Sequence, residues 1–142
     1  MSQENVEILR QTNEAFNRGD IEGFLSFCKD DVQVEDLHNA PDMPPIMTGK
    51  AELRRVFAAW SDAFDNFTGE IEEYIDVDDR HVACVVHYRG TERDTGLEVD
   101  FRGVDLWEFK DDQLFRGTLG YRDRHEALEA VGLSEQDAHA ES

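Results

Sequence analysis

From Phe67 onward the chain changes to a two-residue repeat, and no turn in that stretch is long enough to carry a crossover. Side chains alternate between the two faces of a strand, so this pattern reads as sheet. Four strands are expected, over about 67 to 77, 81 to 92, 97 to 109 and 114 to 122. Their turns fall at Asp78-Asp79-Arg80, near Asp94-Thr95-Gly96 and at Lys110-Asp111-Asp112-Gln113. Parallel neighbours need a connection of a dozen or more residues, so these strands must run antiparallel. Long strands on short turns make a strongly curved meander the natural outcome.

The N-terminal part carries helical spacing instead. Val6, Leu9, Asn13 and Phe16 recur along residues 3 to 18. Asn17-Arg18-Gly19-Asp20 then breaks the helix: Gly19 suits a left-handed end, and Asp20 can cap a short second helix over about 21 to 28. A strand follows near Val32 to Asp36, and a third helix is expected over about 50 to 64 with Leu53, Val56, Phe57, Trp60 and Phe64 on one side. Residues 37 to 48 hold all three prolines and read as an irregular loop, either a pocket lid or a plain surface connection. A last short helix is capped by Asp123 and ended by Gly132. Helices followed by a run of strands give an α+β fold with helices against one sheet face. One domain over 1–133 and an acidic flexible tail over 134–142 are expected, since 142 residues suit a single core.

A formal net charge of -19 argues against nucleic acid and anionic membranes as partners. No apolar run approaches transmembrane length. The opening Met1-Ser2-Gln3-Glu4 is polar and acidic, with no export signal, so Cys28 and Cys84 are expected to be reduced thiols in a cytoplasmic protein. The histidines at 38, 81, 87, 125 and 139 lack metal-ligand spacing. Neither cysteine has a nucleophile motif, and no glycine-rich phosphate loop is present. Chemistry without a metal or cofactor is the expectation.

Two aspartates lie where strand residues should be apolar. Asp36 closes Val32-Gln33-Val34-Glu35-Asp36, and Asp105 sits in Val104-Asp105-Leu106-Trp107-Glu108-Phe109. A carboxylate among apolar neighbours must find a partner, hold a proton or line a cavity. Asp36 could cap a turn or pair with an arginine at a cavity rim, and Asp105 could pair with Arg102 or Arg116. In a cleft, both are candidate acid–base groups.

The order of elements, with Phe16-Asn17-Arg18-Gly19-Asp20, Asp30-Asp31-Val32-Gln33-Val34-Glu35-Asp36, Thr48-Gly49-Lys50 and the segment around Asp105, resembles the nuclear-transport-factor-2-like superfamily. Within it, the chain resembles the SnoaL-like and ketosteroid-isomerase-like branch over roughly residues 3 to 131. The resemblance implies a cone-shaped, curved antiparallel sheet wrapped around N-terminal helices. It implies a base at Asp36, and at Asp105 a neutral acid that donates a hydrogen bond, as in ketosteroid isomerases. In SnoaL-like cyclases the position resembling Asp105 is the acid/base. One departure is Thr12, which stands where the isomerases carry a tyrosine on the first helix.

If Asp105 faces the cone, parity and the resemblance place Phe101, Gly103, Trp107 and Phe109 on its face. They also turn Val82, Cys84, Val86 and Tyr88 inward on the preceding strand, and Gly117, Leu119 and Tyr121 inward on the last. Phe16, Val56 and Trp60 complete the expected lining from the helices, and His38 joins Asp36 as a candidate acid–base partner. Ala83, Val85 and His87 face outward, and this second apolar face is expected to form a homodimer through the sheet. The expected function is cofactor-independent isomerisation, cyclisation or dehydration of a small apolar carbonyl compound. The alternatives are a non-catalytic module that binds a small hydrophobic ligand or a protein, and an epoxide hydrolase. The hydrolase would need an Asp-Arg-Asp set, and parity turns Arg102 and Arg116 away from the cone.

Overall fold

The computed structural model describes residues 2–38, 44–132 and 139–141. Three helices come first or early: α1 (Ser2–Asn17), α2 (Ile21–Leu25) and α3 (Lys50–Ala63). The strands are β1 (Cys28–Asp36), β2 (Ile46–Thr48), β3 (Phe64–Asp76), β4 (His81–Glu92), β5 (Glu98–Lys110), β6 (Gln113–Tyr121) and β7 (His139–Glu141), with α4 (Arg124–Glu129) before β7. They form one curved, unclosed sheet in the order β2-β1-β6-β5-β4-β3-β7. The expected α+β cone is therefore the fold observed.

The meander β3 to β6 is antiparallel throughout, as its short turns require. β1 instead joins β6 in parallel, with Val34 opposite Gly117 and Asp36 opposite Leu119. The chain between β1 and β6 contains α3 and most of the sheet, long enough for that return. α1 is tied to β3 by an amide that imitates a strand edge. Asn17 Nδ2 donates to the Gly69 carbonyl at 2.9 Å, and Gly69 N–H donates to Asn17 Oδ1 at 2.9 Å. Asp20 caps α2 through Gly23 N–H at 2.8 Å, as its position after Gly19 leads one to expect.

Three local expectations change. Ile46–Thr48 lies in the proline-containing stretch read as loop, yet pairs with β1 from Gln33 to Glu35. All three prolines lie outside those three residues, which leaves the N–H groups that pairing needs. Residues 39–43 of that stretch lie outside the described residues. β3 begins directly at Phe64, where α3 ends, and absorbs the abrupt change through a register shift with Asn66 at φ 55°. Within the stretch expected as a tail, the backbone of His139–Glu141 pairs with Tyr74–Asp76 of β3. Residues 133–138 and 142 lie outside the described residues.

The sheet buries both faces. The inner face packs on α1, α2 and α3 through Leu9, Phe24, Leu25, Leu53, Val56 and their strand partners. The outer face has its own smaller core, in which Ala127 and Leu128 of α4 cover Ala83, Val104 and Leu106. The apolar outer side of β4, read from sequence as a subunit contact, is thus partly covered by the chain's own C-terminal helix.

Candidate active site

The inner core is not filled at its open end. A cavity of about 90 Å³ lies between the helices and the concave face, and both Asp36 and Asp105 line it. The strands bring them together. Asp36 ends β1 opposite Leu119 of β6, while Asp105 lies on β5, the next strand. Asp36 is 4% exposed and Asp105 3%.

Their surroundings differ. Asp105 Oδ1 accepts the Gly120 N–H at 3.0 Å, and Oδ2 accepts a short hydrogen bond from the Tyr88 hydroxyl. Burial pushes the Asp105 carboxyl up to about 7, against the two hydrogen bonds that lower it, with Asp36 adding to the rise. Burial also drives the Tyr88 hydroxyl well above its ordinary value, reinforced by the negative charge of Asp105, so it stays protonated. Asp36 Oδ1 accepts the backbone N–H of His38 at 2.9 Å, an Asx turn at the strand end.

Tyr88 reaches Asp105 from β4, the strand beside β5. Tyr88 is opposite Phe101, Val86 opposite Gly103 and Cys84 opposite Asp105. Gly69, opposite Tyr88 on β3, gives that ring its room, since a Cβ there would meet the Tyr88 ring at 2.9 Å. Gly120 is required for a different reason. At φ 100° it holds a conformation that L side chains rarely adopt, and a Cβ there would meet the His38 ring at 2.8 Å. This glycine turns its N–H onto Asp105.

Of the expected lining, Phe16, His38, Val56, Trp60, Cys84, Val86, Trp107 and Leu119 all line the cavity. Val82 and Tyr121 do not. Val82 is fully buried in the inner core away from the open space. Tyr121 faces the other way and packs with the outer cluster under α4. The cause is an extra residue on β6: Val104 pairs with Tyr121 but Leu106 with Thr118. Such a bulge inverts side-chain parity beyond it.

His38 sits at the exposed rim, its ring edge-on to Phe101 with centroids 4.9 Å apart. It touches Asp36 through its backbone and not its ring, so the expected Asp–His side-chain pair does not form. Arg102 is bonded to Glu72 at 2.8 Å and Arg116 lies over Phe115, so neither enters the cavity and no Asp-Arg-Asp set is assembled. Thr12 lines the cavity, but its hydroxyl donates to the Leu9 carbonyl at 2.9 Å. The phenol beside Asp105 comes from β4 instead. Sequence reasoning turned Tyr88 inward without giving it a role, and its register four residues beyond the partner of Asp105 was the available signal.

No curated protein matches the chain. Among solved structures, a putative polyketide cyclase from Xanthomonas campestris pv. campestris is similar at 20% identity, covering 92% of this chain and 98% of that one, with a TM-score of 0.72. TerC, co-crystallised with polyporic acid, is similar at 19% identity, covering 81% of this chain and 88% of that one, with a TM-score of 0.72. A protein of ketosteroid isomerase-like fold from Catenulispora acidiphila DSM 44928, in complex with trimethylamine, is 16% identical over 89% of this chain and 93% of that one, with a TM-score of 0.70. At these identities the likeness is one of fold. The sequence itself matches the SnoaL-like domain over residues 9–117, most of the chain, and the protein therefore belongs to the SnoaL-like family.

Proposed function

We propose that this protein is a cofactor-independent acid–base enzyme acting on a small, largely apolar carbonyl compound, with Asp105 as the proton acceptor. The observation that carries this reading is the Asp105 carboxylate, buried on the cavity wall with a hydrogen-bond donor on each oxygen. That is the pattern of a base held in position. It departs from the resemblance to ketosteroid isomerases, which implies the base at Asp36, and follows the resemblance to SnoaL-like cyclases, in which the position resembling Asp105 is the acid/base. A base with a pKa near the working pH is the most effective one, and about 7 fits that condition.

In this mechanism Asp105 Oδ2 takes a proton from the carbon next to the substrate carbonyl, and the electron pair moves onto the carbonyl oxygen. Once Oδ2 carries the proton, it no longer needs the Tyr88 hydroxyl as donor. That O–H then stabilises the developing enolate oxygen. Burial keeps the proton affinity of Asp105 high, and the charge of Asp36 adds a smaller share. Isomerisation, aldol cyclisation and dehydration share this step, and the names of the structural neighbours, a putative polyketide cyclase among them, are consistent with it.

The test is exchange of α-protons of small apolar ketones in deuterated water, followed by NMR. Asp105→Asn should slow enzyme-dependent exchange by about 10²-fold or more. Equal exchange by the wild type and this variant would refute the assignment. A second reading, a ligand-binding module without turnover, draws on the mostly apolar lining and the committed Thr12 hydroxyl. Ligand binding with no exchange at all would favour it. The proposal includes a cytoplasmic location with both buried cysteines reduced, and a homodimer through the outer sheet face that α4 leaves uncovered.

A further inference from the structure

The cavity has an unbalanced charge. Asp36 and Asp105 both line it, and among its lining residues there is no lysine or arginine. The one basic side chain is His38, at the exposed rim and without a ring contact to either acid. Asp105 has two donors, whereas Asp36 has the His38 N–H on Oδ1 and no donor to its second oxygen among the described residues. A neutral ligand closing this space would strip water from that carboxylate and give nothing back.

The rest of the wall is suited to a particular kind of countercharge. Trp60 meets Phe67 edge-on at 5.0 Å, Phe67 stacks on Tyr88 at 5.8 Å, and Tyr88 lies 5.3 Å from Phe101. Phe16 joins this wall from α1, 6.1 Å from Phe67. Aromatic faces attract cations that carry their charge on apolar substituents. A strongly hydrated cation would find too few polar partners here, whereas an alkylated ammonium shows the wall its methyl groups and Asp36 its charge. The net charge of -19 also draws cations toward the protein before they reach the cavity.

From this arrangement we infer that the ligand carries a tertiary or quaternary ammonium group, seated between Asp36 and the aromatic wall. The inference rests on reading this cavity as the substrate site, and it names the substrate class: a cationic, alkylated amine that also bears the carbonyl on which Asp105 acts. Asp36 is then the specificity-determining residue. The ionisable groups facing the ammonium would be Asp36, Asp105, Tyr88, Cys84 and, at the rim, His38.

The experiment compares choline with its uncharged isostere 3,3-dimethylbutan-1-ol by calorimetry on the full chain, at about 0.15 M salt to screen the surface charge. Choline should bind at one site per chain and about tenfold or more tighter than the isostere. The preference should disappear in Asp36→Asn. Should that variant fail to fold, carboxyl NMR of the wild type serves instead, with choline lowering the Asp105 titration below its value in the free protein. Equal binding of the two probes, tighter binding of the alcohol, or no binding of either overturns the inference. Exchange of neutral ketones through Asp105 without any choline preference would overturn the inference alone. A choline preference with exchange unaffected by Asp105→Asn would overturn only the catalytic assignment.

Discussion

Replacing Asp105 with asparagine should stabilise this protein at alkaline pH. The carboxyl rises from 3.8 to about 7 on folding. Between those values the folded state holds a proton that the unfolded chain has released, so stability falls as pH increases through the window and levels off above it. The full cost above the window is about 4 kcal/mol, from three pKa units at about 1.4 kcal/mol each. Near pH 5 only about 2 kcal/mol of that cost applies, and near pH 8 nearly all of it, a difference of about 2 to 3 kcal/mol. Asparagine carries no charge and suits the same partners: its oxygen can accept from Gly120 N–H, and its amide can donate to the Tyr88 oxygen. Urea unfolding of both proteins at the two pH values provides the assay. Comparing wild type with variant cancels the titration of the many other carboxylates, provided they are unaffected by the change. The stability gap in favour of asparagine should widen by about 2 to 3 kcal/mol from pH 5 to pH 8. A gap that stays constant or narrows would refute the argument that burial of Asp105 dominates its environment.

Two further outcomes test the surroundings of that carboxyl. Tyr88→Phe removes a donor that lowers the Asp105 pKa, so the group should titrate above its wild-type value of about 7. A hydrogen bond to a charged group is worth about 1.5 to 3 kcal/mol, which corresponds to a rise of about one to two units, read by carboxyl NMR. Gly120→Ala should destabilise by about 1 to 3 kcal/mol in urea: the exposed His38 ring can swing aside, but a φ of 100° cannot be relieved without losing the bond to Asp105.

Much of the architecture was legible because it depends on local pattern. Period-two spacing with short turns left the meander no alternative to antiparallel pairing, and Gly19-Asp20 marked the break between α1 and α2. The two aspartates were legible as oddities, since alternation made a carboxylate conspicuous at Asp36 and Asp105. Alternation also ordered most of the cavity wall, from Cys84 to Trp107. It failed where the backbone changes register: the extra residue on β6 sent Tyr121 to the outer face, and no feature of alternation announces a bulge. It also overlooked β2, whose three residues are too few to show a period and are defined by the strand beside them.

The fold class, the helix breaks, the direction of the meander and the two acids that do not belong in a strand were all written in local pattern. Each follows from interactions between residues near in the chain, or from the cost of burying charge. Long-range packing is what brings those acids into one cavity, supplies the phenol beside Asp105 from β4, and lays α4 over part of the outer apolar face. Those facts depend on which strands meet and in what register. Register is set by packing over the whole sheet, and a single-residue bulge is enough to reverse what any one strand shows.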